Sequence, residues 1–371
     1  MNPNPLLGVI FHWLGGLSSA SFYVPYKRIR LWSWEIFWLT GGLFSWVVAP
    51  WIGALIGTKD LFHVLAAGSL APATVLGVTV PCYVACILCG ALWGAGGLTF
   101  GLTMRYLGLS LGMAVALGLT TVIGTLGPPL LNGTLGAVAA KPGSLFTFLG
   151  IAVVLVAILI VALAGHQKEK ELAGKEKAAA GVTTALSEFN LTKGLLIAVF
   201  SGVMSSFFAF GLDFGTPIKE ASLKAGTGQL WGGLPVLCVV LVGGFATNLV
   251  CSLYLILKNG SAAQWWGKGA TPAEKIPLAA NYGLAALGGT LWYFQFFFYT
   301  MGESQMGRFG FSSWTLHMGS IILFSTLWGF ALSEWKGTSA RTRALVWLGI
   351  ASLIGSTLII GYGNFIASKA G

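Results

Sequence analysis

The sequence predicts an all-α integral membrane protein whose ten transmembrane helices form two inverted five-helix repeats. Three observations lead to this fold class. Hydrophobic residues make up 56% of the 371 residues and charged residues only 9%, whereas a soluble domain carries roughly 25% charged residues. Apolar runs of about 20 residues, the length that spans a bilayer, recur along the chain, and the mean hydropathy is +0.81. One polar insertion divides these runs evenly.

The apolar runs define the candidate membrane segments in order. Ten of them are long enough to cross a bilayer: Leu6–Tyr26, Glu35–Ile56, Val80–Met104, Leu109–Leu131, Ser144–Gly165, Leu191–Gly215, Leu230–Leu257, Leu278–Met301, Phe309–Ser333 and Ala344–Ala367. We expect the first segment to be a helix of the protein rather than a cleaved signal peptide, because basic residues follow its apolar run instead of preceding it.

The loops between these segments differ in positive charge. Most of the 21 Lys and Arg residues lie in loops that follow odd-numbered segments, beginning with Lys27, Arg28 and Arg30. Loops rich in Lys and Arg stay in the cytoplasm, so we predict that both termini are periplasmic. The net charge of +10 is therefore explained by the excess of Lys and Arg in the predicted cytoplasmic loops. The chain has no basic domain that would indicate a nucleic-acid partner.

The polar insertion, Gly165–Asn190, is rich in Ala, Lys and Glu. It is either a surface helix or a disordered linker. It divides the chain into a first five-helix repeat at residues 1–165, a cytoplasmic linker at 166–190 and a second five-helix repeat at 191–371. Because five is an odd number, two copies of one unit must insert with opposite orientations, which is the plan of many secondary transporters.

Signatures of primary pumps and zinc enzymes are absent from the sequence. It contains no GxxxxGK[ST] motif for ATP and no HExxH motif for zinc. Cys82, Cys86 and Cys89 share one helix face, but no His or acidic residue lies near them in sequence to complete a metal site. We therefore expect no metal ion, no cofactor and no enzymatic activity.

Three ionisable residues interrupt the apolar segments, and all three fall in the outer half of the predicted topology. They are His12, Asp213 and His317. A charged Asp in mid-bilayer costs about 2.5–3.5 kcal/mol on insertion scales. Histidine changes charge near neutral pH and a carboxylate can take up a proton, so we predict that these residues couple transport to protons. A second interpretation of Asp213 stays open, because Gly215 and Pro217 end the helix and place the carboxyl near water.

Uncharged polar and aromatic residues in the segments predict a solute site. Gln295 and Asn248 donate and accept hydrogen bonds, a role suited to hydroxyl groups. The aromatic residues predicted to stack on a sugar ring are Trp93, Trp292, Tyr299 and Trp314. Packing in the core is the alternative for these aromatic side chains. Polar and aromatic side chains are dense between residues 292 and 318. We therefore predict that the two segments containing this stretch, Leu278–Met301 and Phe309–Ser333, line a pathway through the membrane.

Five longer motifs are distributed over both halves of the chain. They read FHWLGGLSSASFYVPYKRIRLWSWE at 11–35, GLTMRYLGLSLG at 101–112, EFNLTKGL at 188–195, LWYFQFFFYTMG at 291–302 and SWTLHMG at 313–319. In these motifs the sequence resembles the L-rhamnose/proton symporter family, within the drug/metabolite transporter superfamily. The resemblance implies two inverted five-helix repeats and import of L-rhamnose, or a closely related deoxysugar, by symport with protons across the bacterial inner membrane.

Two other classes of function remain compatible with the residues. A drug or metabolite exporter of the same superfamily would share the fold, and a membrane-embedded sensor or enzyme would share the apolar helices. The identity of the sugar comes from the resemblance alone. The partners we expect are L-rhamnose, a proton and membrane lipid.

Overall fold

The computed structural model describes residues 3–75, 77–107, 109–180, 190–268 and 275–369, and most of them are helical. In chain order the helices are α1 (Pro5–Ser21), α2 (Tyr23–Tyr26), α3 (Trp34–Leu43), α4 (Ala49–Gly57), α5 (Leu61–Ser69), α6 (Cys82–Leu107), α7 (Leu109–Leu131), α8 (Leu135–Ala139), α9 (Ser144–Ala180), α10 (Leu191–Phe214), α11 (Thr216–Lys224), α12 (Leu234–Asn259), α13 (Leu278–Gln305), α14 (Ser313–Ala331) and α15 (Ala340–Lys369). A π-helical turn at Phe44–Val48 joins α3 to α4, and 3-10 turns occupy Ser261–Trp266 and Gly307–Ser312.

Within the described residues, seven helical stretches are long and apolar enough to cross a membrane. They are Pro5–Tyr26, Trp34–Gly57, Cys82–Phe100, Ser144–Leu172, Thr192–Lys224, Leu234–Asn259 and Ala340–Gly363. Helix α7 contains a shorter apolar stretch, Val115–Leu131. The chain is therefore a helical, multi-pass membrane protein.

A short β-hairpin departs from the purely helical prediction. Strands β1 (Pro72–Val75) and β2 (Val78–Pro81) pair antiparallel, with Thr74 opposite Thr79. Val and Thr favour strands because their branched side chains pack well on a pleated surface. The predicted third segment began at Val80, but α6 begins at Cys82 because the preceding two residues belong to β2.

Helix α9 is longer than the fifth predicted segment. It runs from Ser144 to Ala180 and so continues past Gly165 into the polar insertion. Ala, Lys and Glu are strong helix formers, which explains why the backbone stays helical after the apolar run ends. The first part of the insertion is thus a helical extension, and residues 181–189 of the predicted linker lie outside the described residues.

Long helices pack in pairs around an aromatic centre. Helix α1 packs against α13 and α14, α6 packs against α10 and α12, and α9 packs against α15. At the α6–α12 crossing, Gly90 faces the carbonyl of Val240 and Gly243 faces the carbonyl of Ile87, and neither position leaves room for a Cβ. Small residues permit this close approach of helices in membranes. The largest buried cluster includes the rings of Trp46, Phe208, Tyr293, Phe296 and Trp314.

Candidate functional site

A cavity of about 250 Å³ lies at one end of the helix bundle, and we call it the outer cavity. Its walls come from α7, α10, α13 and α14, with α11 and the start of α12 on one side. Asn132 and Thr134 at its rim are exposed, whereas Tyr299 and Trp314 are buried. The outer cavity therefore deepens from a polar rim to an aromatic floor.

The polar rim carries charged groups from three helices. Asp213 lies in the last turn of α10, and its Oδ2 accepts a hydrogen bond from Nδ2 of Asn132 at 2.9 Å. Opposite, the ammonium of Lys219 on α11 forms an ion pair with the carboxylate of Glu303 on α13. The two interpretations of Asp213 are thus compatible, because its carboxyl sits at a helix end and also lines the cavity.

The floor of the outer cavity is aromatic and fixed by hydrogen bonds. The rings of Tyr299 and Trp314 meet edge to face with centroids 5.7 Å apart. Nε1 of Trp314 donates to the carbonyl of Thr120 at 2.9 Å. Directly after Trp314 in sequence, the hydroxyl of Thr315 lies 2.7 Å from the hydroxyl of Thr125 and links α14 to α7. The hydrogen bond to Thr120 therefore fixes the orientation of the Trp314 ring before a solute arrives.

Two histidines lie directly beneath this floor. The Tyr299 ring centroid is 5.5 Å from the His12 ring and 5.3 Å from the His317 ring, and the two imidazoles are 6.3 Å apart. Both histidines are fully buried, and none of their four ring nitrogens has a hydrogen-bond partner among the described residues. Buried polar atoms are nearly always paired in folded proteins, so this pair is an unusual concentration of unused proton-binding groups.

Glycines on neighbouring helices make room for both imidazoles. A Cβ built on Gly302 of α13 would lie 2.8 Å from Cε1 of His12. A Cβ built on Gly15 of α1 would lie 3.1 Å from Cε1 of His317. Each ring therefore occupies a slot that only a glycine leaves open, and α1, α13 and α14 are held together at the same depth.

Gln295 lies one helical turn from Tyr299 on α13, farther from the outer cavity. Its side chain is buried, and its Nε2 has no partner within the described part of the chain. Since residues four apart share a helix face, Gln295 extends the line from Asp213 through Tyr299 and the histidines toward the centre of the bundle.

Three of the predicted residues neither line the outer cavity nor lie on the path from it through Tyr299 to the histidines and Gln295. Oδ1 of Asn248 accepts from Nε1 of Trp38 and its Nδ2 donates to the carbonyl of Gly244, so both ends of the amide are engaged. Trp93 is wedged against aromatic rings of the core. Trp292 lines a second, smaller cavity. All three lie inside helices, as predicted, and their contacts in this conformation are with other parts of the core.

Sequence reasoning missed three residues of the rim: Asn132, Lys219 and Glu303. Each lies near the end of a helix, where a polar residue is ordinary. Their residue types therefore do not distinguish them from other residues at helix ends. The predicted topology contains a signal that identifies them. Each lies next to the end of a segment, on the same side of the membrane as Asp213.

The comparison with known proteins identifies the family. Residues 1–366 match the family described as L-rhamnose-proton symport protein (RhaT). The chain belongs to this family. The resemblance noted in the five motifs is confirmed over nearly the whole length, and the chain is a transporter rather than an enzyme.

Individual relatives show the same extent of similarity. An L-rhamnose-proton symporter of Cronobacter sakazakii is 38% identical over 360 residues, which cover 96% of this chain and 97% of the relative. An L-rhamnose-proton symporter of Yersinia pestis is 37% identical over 366 residues, covering 98% and 99% of the two chains. The same values hold for a protein of this name from Yersinia pseudotuberculosis.

Proposed function

We propose that this chain imports L-rhamnose, or a closely related deoxysugar, together with protons across the bacterial inner membrane. Its place in the symporter family supports the substrate and the coupling. The observation in the structure that supports the proposal best is the alignment of a cavity carboxyl, Asp213, with two unpaired imidazoles, His12 and His317, on either side of one aromatic floor.

In this mechanism the two kinds of group have separate roles. Asp213, His12 and His317 bind and release the coupled proton. Tyr299 and Trp314 stack on the sugar ring at the floor of the outer cavity, and Gln295 binds hydroxyl groups when the sugar moves deeper. Trp93, Trp292 and Asn248 contact the sugar farther along the pathway. A ligand shifts a conformational equilibrium only by binding one state better, so sugar and proton together would favour the state that opens to the cytoplasm.

We further propose ten spans in two inverted repeats, at residues 1–165 and 191–371, joined by a cytoplasmic linker at 166–190. The pattern of helix packing supports this. In the proposed repeats α1 corresponds to α10, α6 to α13 and α7 to α14. The contact of α1 with α13 therefore corresponds to the contact of α10 with α6, and the contact of α1 with α14 corresponds to that of α10 with α7. All four of these pairs are in contact, as a two-fold axis in the membrane plane requires.

The distribution of charge supports an orientation with both termini in the periplasm. The backbone N–H of Asn4 donates to Oε1 of Gln305, so the N-terminal end of α1 lies on the same side as the outer cavity. Lys27 and Lys168 lie at the opposite end, where both pair with Glu334. The positive-inside rule assigns that basic end to the cytoplasm. Large apolar side chains exposed around the bundle are the surface that membrane lipid would cover: Leu145, Leu196, Val250 and Leu358.

The proposal is tested by uptake of radiolabelled L-rhamnose into proteoliposomes. An inward proton gradient should drive accumulation above the external concentration, and an uncoupler should abolish it. Asp213→Asn keeps the shape of the rim but cannot take up a proton, so it should lose accumulation while still exchanging sugar down a gradient. Glu220→Gln is the matched control, because Glu220 is exposed on α11 and does not line the cavity.

Two outcomes would overturn the proposal or narrow it. Uptake by the unaltered protein that an uncoupler leaves unchanged would exclude proton coupling. Competition by a set of 6-deoxyhexoses and hexoses would identify the sugar, and a better competitor than L-rhamnose would replace it as the substrate.

A further inference from the structure

A second cavity lies deeper in the bundle, and we call it the inner cavity. It is lined by Phe22, Tyr26, Trp38, Gly42, Ser45, Trp46 and Trp292. On α13, Trp292 precedes Tyr299 by seven residues, which places the inner cavity about 10 Å farther from the outer face. Its volume of about 10 Å³ is close to the space that a single water molecule occupies.

Three polar atoms of residues around the inner cavity have no partner among the described residues: Oγ of Ser45, Nε1 of Trp46 and Nε1 of Trp292. Ser45 is 2% exposed and Trp46 is 3% exposed. Buried donors of this kind are nearly always paired with protein or with ordered water. Three unpaired donors around one cavity are therefore available to bond a solute that enters it.

The backbone at this place is also irregular. Ser45 and Trp46 lie in the π-helical turn Phe44–Val48, where the N–H of Ala49 bonds to the carbonyl of Phe44, five residues back. Pro50 follows directly and has no N–H to donate to the carbonyl of Trp46. Single π-helical turns inside α-helices occur mostly at functional sites. The sequence thus bends this segment where two of the unpaired donors are found.

A continuous column of aromatic rings separates the two cavities. Trp314 on the outer floor stacks on Phe208 at 6.0 Å, and Phe208 contacts Phe296 at 4.4 Å. Trp93 packs on Phe208 at 5.0 Å and reaches Trp46 at 6.3 Å. These rings lie between the two cavities, and the shortest of the four contacts is the one between Phe208 and Phe296.

We propose that the inner cavity is a second sugar subsite, which the sugar enters when the contact between Phe208 and Phe296 opens. The proposal rests on the proposed function. The indoles of Trp46 and Trp292 would stack on the ring, and their N–H groups with the Ser45 hydroxyl would bond its hydroxyls. The required ligand chemistry is a small ring that has one apolar face and several hydroxyl groups. Widening of the cavity accompanies the separation of the two phenylalanines.

Ser45→Ala and Trp292→Phe test this inference, because each removes an unpaired donor. The first changes the shape of the side chain little, and the second keeps an aromatic ring of smaller size. Their matched controls are Ser252→Ala and Trp13→Phe, which remove equally buried, unpartnered donors outside both cavities. Two quantities are measured for each variant: equilibrium binding of radiolabelled L-rhamnose to the purified protein, and the rate of uptake into proteoliposomes. Thermal unfolding in detergent verifies that each variant is folded.

Loss of one hydrogen bond to the sugar should slow uptake about tenfold, while binding at the outer cavity changes less than about twofold. The controls should retain both values. If Ser45→Ala and Trp292→Phe take up the sugar at the rates of their controls, the inner subsite is overturned. An equal loss of binding and uptake would also overturn it, because the two cavities would then form one site. An unaltered protein that neither binds nor transports the sugar would instead overturn the proposed function.

Discussion

The aromatic floor of the outer cavity depends on one glycine, and replacing it gives a sharp prediction. A Cβ built on Gly124 of α7 would meet three atoms, all of them in the indole of Trp314, including Cδ1 at 2.6 Å and Cε2 at 2.9 Å. Ordinary contacts of a Cβ begin at about 3.4 Å, the near edge of van der Waals distance. In Gly124→Ala the indole must therefore move, and its hydrogen bond to the carbonyl of Thr120 is lost.

The magnitude follows from three effects. Overpacking a well-filled site costs about 1–3 kcal/mol, and the lost hydrogen bond costs about 1 kcal/mol. Replacing glycine by alanine inside a helix returns up to about 1 kcal/mol. The net destabilisation of Gly124→Ala should be about 1–3 kcal/mol. Because the displaced indole also forms the floor of the outer cavity, sugar binding should weaken at the same time.

The assay is thermal unfolding in detergent, combined with equilibrium binding of L-rhamnose. Gly118→Ala is the matched control, since it lies on the same helix and nothing is within 4 Å of the added Cβ. Its Tm should equal or exceed that of the unaltered protein. In the double variant Gly124→Ala with Trp314→Phe, the smaller ring lacks the indole nitrogen, which is the atom nearest to the added Cβ, so the two losses should not add. A Gly124→Ala protein as stable as Gly118→Ala, or strictly additive losses in the double variant, would refute this packing argument.

Two further predictions concern the charged groups of the site. His12→Gln and His317→Gln replace an imidazole by an amide that does not titrate, with little change to the helices. At least one of them should flatten the pH dependence of uptake between pH 5 and 8, where histidine normally changes charge. Unchanged pH profiles in both variants would show that neither histidine takes part in proton coupling. Lys219→Gln and Glu303→Gln each break a partly exposed ion pair, so each should cost less than about 1 kcal/mol in stability and should reduce uptake. The double variant Lys219→Glu with Glu303→Lys exchanges the two charges and should restore uptake. A large fall in Tm in the single variants would show that the pair is structural.

The helices were predictable from sequence because lipid imposes a simple rule on length and polarity. The apolar runs located α7 and α10 to within a residue or two of their observed ends. They did not find the end of α9, because apolar character indicates where lipid is, whereas the helix continues to Ala180 through residues of high helix propensity. Glu171 in this extension also accepts hydrogen bonds from Ser339 and Thr342. They also placed Val80 in a helix, since a buried apolar run does not distinguish a strand from a helix over a few residues.

Sequence singles out a candidate residue where its type is costly inside an apolar segment and overlooks one where its type is ordinary. His12, His317 and Tyr299 were found because few polar groups occur inside apolar segments, and the structure brings them into contact. Glu303 was not found, because a carboxylate at a helix end is unremarkable until its ion pair and its cavity are known. Asn248 is as unusual in sequence as the histidines, yet its amide bonds to Trp38, a partner that no local pattern reveals.

The tightness of the α1 interfaces determines where the bundle can open. Gly8 of α1 lies against the carbonyl of Gly302 and the side chain of Met306, and Gly15 lies against the carbonyl of Gln295, so the backbones of α1 and α13 approach closely at two positions two turns apart. Gly16 is equally close to the backbone of Ser320 on α14. Contacts of this kind cannot slide by small steps, because backbone atoms on both sides are already at their closest approach. The aromatic contact between α10 and α13 has no such constraint, since rings can change rotamer. Alternating access should therefore separate α10 from α13, while α1, α13 and α14 move as one body that carries both histidines with it.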